Sequence, residues 1–212
     1  MNVAWWCSGT GQVWTWRYTP FLGVWILAAT AIGGYLYSHR RAGIAIERSH
    51  LRRFLLGILA LFIMTEWPLG QIGSGYLASV GIARYVIYTF VAAPLLLTGL
   101  STEFLAYWLP EGSRRQRFVA TITYWPIALM LFNVVLFSTH LPVTIDTFKT
   151  TQLGSFALDA LHLTAAIIWW WPALRPATPS VPSSGGHART RFRTAGAGAG
   201  GTLPARSTRR GA

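Results

Sequence analysis

Apolar runs of about 20 residues recur along this chain, and they constrain its fold more than any other feature. A helix of that length crosses the hydrocarbon core of a bilayer, which is roughly 30 Å thick. None of the runs alternates like a barrel strand, so each is predicted to be a helix that satisfies its own backbone groups. Only 11% of the 212 residues are charged, against about 25% in a soluble domain. The composition therefore excludes an ordinary water-soluble enzyme.

The predicted fold class is all-α, a polytopic transmembrane bundle of about five helices. The helices are placed at residues 20–37, 54–69, 76–100, 118–138 and 156–171. Before them lies an outer, Trp-rich N-terminal segment at residues 1–19, and the transmembrane domain covers residues 20–176. Residues 177–212 hold six Arg and no acid, with too few apolar residues for a core. This tail is predicted to be disordered and cytoplasmic.

The distribution of basic residues predicts the direction of each helix. Residues 38–53, residues 101–117 and the tail are rich in Arg, whereas the alternate connections hold at most one base each. Because Lys and Arg near helix ends resist translocation, we expect the N-terminus outside and the C-terminus in the cytoplasm. The first apolar run is followed by Arg40 and Arg41. The first helix is therefore predicted to be an anchor and not a cleaved signal peptide.

Polar residues within the predicted helices are expected to need partners. An ionisable residue at mid-helix in lipid costs about 2.5–3.5 kcal/mol on insertion scales. With the helix directions above, five polar residues fall in the outer half of the membrane and are predicted to share one polar region. Glu66 lies at the end of the second predicted helix and Arg84 near the start of the third. An ion pair between them is predicted. The five residues are Glu66, Arg84, Asn133, Asp159 and His162.

Two alternatives remain open for the histidines. Asp159 and His162 are three residues apart and face the same side of a helix, and His140 follows the fourth predicted helix. Together with Cys7 they offer ligand types that copper accepts. One hypothesis is a metal site formed by His140, Asp159 and His162. The other is a hydrogen-bonded Asp–His pair beside a solvated loop histidine.

Signals for catalysis or nucleotide binding are weak. Ser138, His140 and Asp146 have the residue types of a catalytic triad, but no nucleophile elbow, paired carboxylates or phosphate loop accompanies them. The Gly- and Ala-rich run at residues 196–201 has no strand before it and no helix after it. It is therefore low-complexity sequence rather than a dinucleotide signature. The prediction is a protein that is not an enzyme and that binds no nucleic acid.

Small and aromatic residues are predicted to mediate contacts between helices or subunits. In lipid, helices associate through close van der Waals contact rather than through exclusion of water. The positions selected on this basis are Gly33, Gly34, Gly57, Pro94, Trp170 and Trp171.

Several strings occur in an order that resembles a known family. They include Trp14-Thr-Trp-Arg-Tyr-Thr-Pro20, Val91-Ala-Ala-Pro-Leu-Leu-Leu-Thr-Gly99, Thr139-His-Leu-Pro142 and Trp170-Trp-Pro172. Together, over about residues 14–174, they resemble the CtaG-like family, which are assembly factors for caa-type bacterial cytochrome c oxidases. The resemblance implies a multi-pass protein of the bacterial inner membrane with a role in oxidase maturation. It also makes copper the candidate cofactor, although no cofactor is certain.

The chain departs from that family at its usual histidines. Two His-x-x-x-His pairs are typical, and alignment on the Pro residues places Gly81 and Tyr85 at the first pair and Ser155 and Asp159 at the second. His140 is retained. Because the ligands are missing, two functions stay open: a maturation factor that still touches metal, and a permanent structural subunit of a respiratory or photosynthetic complex with no metal role. Both imply contacts with membrane lipids and other integral membrane subunits.

Overall fold

The computed structural model describes residues 4–9 and 16–175, and all regular structure in these ranges is helical. The all-α prediction is therefore confirmed. The α-helices are α1 (Leu22–Ala42), α2 (Arg48–Thr65), α3 (Leu69–Gly75), α4 (Ala78–Ile87), α5 (Ala93–Gly99), α6 (Thr102–Trp108), α7 (Arg114–Ile122), α8 (Trp125–His140), α9 (Pro142–Phe148) and α10 (Gln152–Leu174), and a π-helical turn (Tyr88–Ala92) joins α4 to α5. The predicted tail at residues 177–212 lies outside the described residues.

A single apolar helix, Ala78–Gly99, is formed by α4, the π-helical turn and α5. Ala93 N–H donates to the carbonyl of Tyr88, five residues earlier. Pro94 follows at once and has no N–H to continue an α-helical ladder. The sequence predicted this span within two residues, but it did not predict the wider turn. Turns of this kind frequently occur at functional sites.

Among the described residues, two helices are long and apolar enough to cross a membrane, Ala78–Gly99 and Gln152–Leu174. Two bent pairs of helices are also long and apolar enough if each pair is counted as one span. They are α2 with α3, bent by 52°, and α7 with α8, bent by 65°. Pro68 and Pro126 lie at these bends, and a proline disfavours helix in the residue before it. The fourth predicted helix therefore has wrong limits, because a break at residues 123–124 interrupts it.

The predicted number of five spans is not confirmed. The structure supports two to four candidate spans, and α1 is not among them although it has 21 residues. Its second half mixes Gly33, Gly34, Tyr35 and Tyr37 with Ser38 before a basic end, which lowers its mean hydropathy. The orientation of the chain ends is not tested by the fold.

The core of the bundle is formed by α2, α5 and α10. α2 packs against α5, α10 packs against α8 and α5, and α1 packs against α2. Gly57 allows the first of these contacts, because a Cβ there would lie 2.9 Å from Leu96 Cγ. This arrangement brings the end of α4 and the beginning of α10 together, where the polar residues lie.

Candidate functional site

Arg84, on α4, lies at the centre of a buried polar cluster. Its Nη1 is 3.3 Å from Asp159 Oδ2 on α10, and each side chain is only 3% exposed. Its Nη2 donates to the Gly70 carbonyl at 2.8 Å and to Ser74 Oγ at 2.9 Å, both on α3. A buried charge is tolerated only when it is paired and hydrogen-bonded. These contacts therefore fix the guanidinium between three helices.

The N-terminal segment at residues 4–9 supplies further partners to this cluster. Trp6 Nε1 donates to Asp159 Oδ2 at 3.0 Å, and Cys7 Sγ lies 3.5 Å from Arg84 Nη1. Burial raises the pKa of the Cys7 thiol, and the neighbouring guanidinium offsets only part of this rise. The thiol is therefore neutral at pH 7, and the ion pair is the charged part of the cluster.

Backbone hydrogen bonds hold the segment in place. Gln152 Oε1 accepts from the N–H of Trp5 at 2.9 Å, and Gly9 N–H donates to the Lys149 carbonyl at 2.7 Å. Gly23 N–H donates to the Trp5 carbonyl at 2.7 Å. A Cβ at position 23 would lie 2.5 Å from that oxygen, so only glycine permits this approach. The segment therefore connects the start of α1 to the start of α10.

The predicted ion pair between Glu66 and Arg84 is wrong. Glu66 is buried, but its Oε1 accepts from Phe21 N–H at 3.1 Å and from the Tyr18 hydroxyl at 3.3 Å. Phe21 is the N-cap of α1 and has no side-chain cap of its own. A carboxylate at a helix N-terminus is favoured by the helix dipole. Both charges are thus satisfied, but Arg84 takes its acidic partner from α10.

His162 lies in the bundle one turn beyond Asp159. Its Nε2 is 3.0 Å from Thr89 Oγ1 in the π-helical turn, and its ring centroid is 4.5 Å from that of Tyr85. The His140 ring is 5.4 Å from Tyr85 and 6.4 Å from His162. Tyr85 thus contacts both imidazoles.

The predicted metal ligands do not form one three-ligand set. In residues 4–9 and 16–175, no group of three or more His, Cys, Asp or Glu is arranged to hold a metal ion. Asp159 Oδ2 is already bonded to Arg84 and Trp6. His140 Nδ1 is 2.7 Å from the Leu136 carbonyl of its own helix. The donors of these three residues are therefore not arranged as a copper centre of the predicted composition, and copper binding stays a prediction.

The remaining sequence candidates have different surroundings. Asn133 Nδ2 donates to the Leu129 carbonyl of its own helix at 2.8 Å, so nothing links it to the cluster. Trp170 Nε1 donates to the Thr89 carbonyl at 2.7 Å and thereby joins α10 to the π-helical turn. A Cβ added at Gly33 or Gly34 would meet no neighbouring atom within 4 Å, so these glycines face open space. Trp171 is half-buried.

Sequence reasoning missed four contributors to the site. Trp6 was placed only in the outer, Trp-rich N-terminal segment, and Gly70, Ser74 and Thr89 were not selected. One signal was available for two of them, because Gly70 and Ser74 are four residues apart and share one face of a short helix. Nothing in the sequence pointed Trp6 at Asp159, since 153 residues separate them.

The site consists of buried polar groups centred on the Arg84–Asp159 ion pair, and two of the helices that hold them, Ala78–Gly99 and Gln152–Leu174, are apolar and of membrane length. This arrangement defines the chain as a helical membrane protein whose buried charges hold its helices and its N-terminal segment together. The family model for the cytochrome c oxidase caa3 assembly factor (Caa3_CtaG) matches residues 32–194. The chain therefore belongs to this family, as its sequence motifs predicted. No significant match to a curated protein or to a solved structure was found.

Proposed function

We propose that this protein assists the assembly of a cytochrome c oxidase in a bacterial inner membrane, without catalysis, by contacting oxidase subunits. The family to which the chain belongs is that of the cytochrome c oxidase caa3 assembly factor. The observation that supports a role without catalysis is the Arg84–Asp159 ion pair. The pair joins Oδ2 of the one carboxylate among the predicted metal ligands to a guanidinium, which supports a structural role for Asp159.

We further propose the five-span arrangement with the N-terminus outside. The two single spans, the two bent pairs and α1 together make five. The basic residues of α1's last turn, His39, Arg40 and Arg41, support a cytoplasmic end for that helix. The buried cluster then lies near the outer surface.

The test compares a bacterial host whose copy of the gene is deleted with the same host complemented by the wild-type chain. We expect membranes of the deletion strain to lose haem a absorbance and cytochrome c oxidase activity, and complementation to restore both. Unchanged oxidase content in the deletion strain would contradict the proposal. Measuring a second, unrelated respiratory enzyme in the same membranes controls for general membrane damage.

The second candidate is a permanent structural subunit of an electron-transfer complex. It is favoured by large apolar side chains that project from α8, where Met130 and Phe137 are each 71% exposed. Extraction in mild detergent separates the two candidates. Stoichiometric recovery with the mature, cofactor-bearing complex indicates a subunit, whereas recovery with incomplete oxidase alone indicates an assembly factor.

A metal role is tested separately at His140. Without such a role, His140→Ala leaves the yield of active oxidase unchanged, as does His50→Ala, a matched control that bonds the Thr98 carbonyl. Selective loss of copper-dependent oxidase activity in His140→Ala alone would establish a metal role. Elemental analysis of the purified wild-type chain gives an independent answer.

A further inference from the structure

A shallow groove runs along one side of α2. It is lined by residues of this one helix: Arg48, Leu51, Arg52, Leu55, Leu56 and Leu59. Their spacing of three and four residues places them on a single face of the helix. Gly57, which contacts α5, is two residues from Leu59 and, at about 100° per residue, faces nearly the opposite way. The groove therefore lies on the side of α2 that is turned away from α5.

The apolar part of the groove matches one leaflet of a bilayer in length. Leu55, Leu59 and Ile63 follow one another by about one turn, and all three are exposed. At 1.5 Å per residue, the helix from Arg52 to Ile63 spans about 16 Å, which is about half of a hydrocarbon core roughly 30 Å thick. Arg52 therefore reaches the level of the headgroups when Ile63 lies near the bilayer centre. This inference rests on the proposed span formed by α2 and α3.

The basic part of the groove has free cationic groups. Arg48 and Arg52 are one turn apart, and both are exposed. Neither side chain forms an ion pair or a hydrogen bond with any residue that the structure describes. The adjacent acid, Glu47, instead accepts from Ser49 Oγ at 2.6 Å and lies 3.5 Å from His50 Nε2. Both guanidinium groups are therefore available to an anion from outside the chain.

A basic end that continues into an apolar face of leaflet length is complementary to an anionic phospholipid. A guanidinium binds a phosphate through two parallel hydrogen bonds, and basic residues near the membrane surface attract anionic lipids. A zwitterionic lipid carries its own cation beside the phosphate, which competes with the guanidinium groups. We propose that the groove binds a phospholipid with a net negative headgroup. Its phosphate pairs with Arg48 and Arg52, and one acyl chain lies along Leu55 and Leu59.

The first test compares phosphatidylglycerol with phosphatidylcholine of the same acyl chains. The purified full chain in a neutral detergent is titrated with each lipid, and the bound lipid is counted by native mass spectrometry. Because two Arg side chains contact the headgroup, we expect phosphatidylglycerol to bind roughly tenfold more tightly. Equal affinity for the two lipids would overturn the proposal.

The second test locates the site with two charge-matched variants. Arg48→Gln combined with Arg52→Gln removes the two cations of the groove, whereas Arg114→Gln combined with Arg115→Gln removes an exposed pair at the start of α7. Each double variant loses two positive charges. We expect the first to bind phosphatidylglycerol roughly tenfold more weakly and the second to change the affinity by less than about twofold. Equal losses would show attraction to net charge alone and would overturn the assignment to α2.

The third test addresses the acyl chain. Phosphatidylglycerol with a photoactivatable group in the middle of one chain is added at less than one molecule per protein, and crosslinked peptides are identified by mass spectrometry. We expect crosslinks to concentrate at residues 55–63 of α2. Crosslinks concentrated on other helices would overturn the placement along this groove.

The lipid site and the proposed function fail in different ways. The binding experiments use the isolated protein and need no oxidase, so they are independent of the deletion strain. The span is checked by adding a membrane-impermeant maleimide to vesicles that contain Leu59→Cys, which is expected to be protected. Labelling of that cysteine would overturn the span and the lipid site together, whereas protection without a preference for phosphatidylglycerol would overturn the lipid site alone.

Discussion

Arg84 and Asp159 are 75 residues apart in the chain and form a buried ion pair at 3.3 Å. The pair joins α4 to α10, and Trp6 and Cys7 bring the N-terminal segment onto it. Two charges in a low-dielectric interior neutralise each other, but either one alone is strongly unfavourable. The pair therefore couples the docking of the segment to the packing of the helices.

Removing one charge of this pair is expected to cost more than removing both. Asp159→Leu should lower the free energy of unfolding by about 3–5 kcal/mol, because it leaves the guanidinium buried without a counter-charge. Arg84→Met combined with Asp159→Leu should recover most of that loss. Unfolding in detergent, followed by circular dichroism, gives both values. Asn133→Leu is the control and should change stability by only about 1 kcal/mol, because its bond is to its own helix. Purely additive losses in the double variant would contradict the coupling.

The thiol of Cys7 is expected to report on the docked N-terminal segment. It is the chain's single cysteine and is fully buried, and burial raises its pKa above the ordinary value of 9.0. Since the thiolate is the reactive form, N-ethylmaleimide should label the folded protein far more slowly than the unfolded chain. Gln152→Ala should speed labelling by releasing Trp5 and Trp6, whereas Gln116→Ala on α7 should not.

The same thiol predicts a pH dependence of stability. The folded state holds the proton of Cys7 more tightly than the unfolded state does. Stability from this group is therefore fully present below the ordinary thiol pKa of 9.0 and is lost as pH rises above it. Unfolding measured from pH 7 to pH 11 should show this loss in the wild type, and Cys7→Ala should show less of it. Identical pH profiles would contradict the prediction.

Glu66 is expected to stabilise the start of α1. Glu66→Ala leaves the N–H of Phe21 buried without its acceptor and should cost about 1.5–3 kcal/mol. Glu66→Gln retains an acceptor oxygen and should lose less. Amide hydrogen exchange in the first turn of α1 measures the local effect. Equal losses in the two variants, with no change in exchange there, would contradict a capping role.

Much of the helical fold could be predicted from the sequence, because long apolar runs have few alternatives in lipid. The span at residues 76–100 was predicted within two residues of its observed limits, Ala78–Gly99. The bends at Pro68 and Pro126 were not predicted, since apolar composition continues through them. A proline bend within an apolar run leaves the hydrophobic pattern unchanged, so periodicity does not reveal it.

The polar site was predicted only in part. The sequence identified Arg84, Asp159 and Glu66 as residues that need partners, and all three are buried. The predicted partner of Arg84 was Glu66, because Glu66 is nearer to it along the chain than Asp159 is. The true partner depends on how α10 packs against the rest of the bundle. Only the three-dimensional packing distinguishes the two acids.

Gly57 and Gly34 are expected to respond in opposite ways to the same substitution. At Gly57 a Cβ would lie 2.9 Å from Leu96 Cγ and 3.1 Å from Leu96 N, so α2 and α5 must separate. Gly57→Ala should therefore lower the free energy of unfolding by about 1–3 kcal/mol. At Gly34 nothing lies within 4 Å, and Gly34→Ala should raise it by up to about 1 kcal/mol through helix propensity.

The glycine pair also tests where partner subunits bind. Unfolding in detergent measures the isolated chain, and recovery of oxidase subunits in mild detergent measures the contact. If Gly34→Ala keeps or raises stability but reduces that recovery, the exposed face of α1 contacts a partner, as predicted from its small residues. If Gly57→Ala lowers the free energy of unfolding no more than Gly34→Ala does, α2 and α5 do not pack as closely as described. The two variants thus separate packing within the chain from packing between subunits.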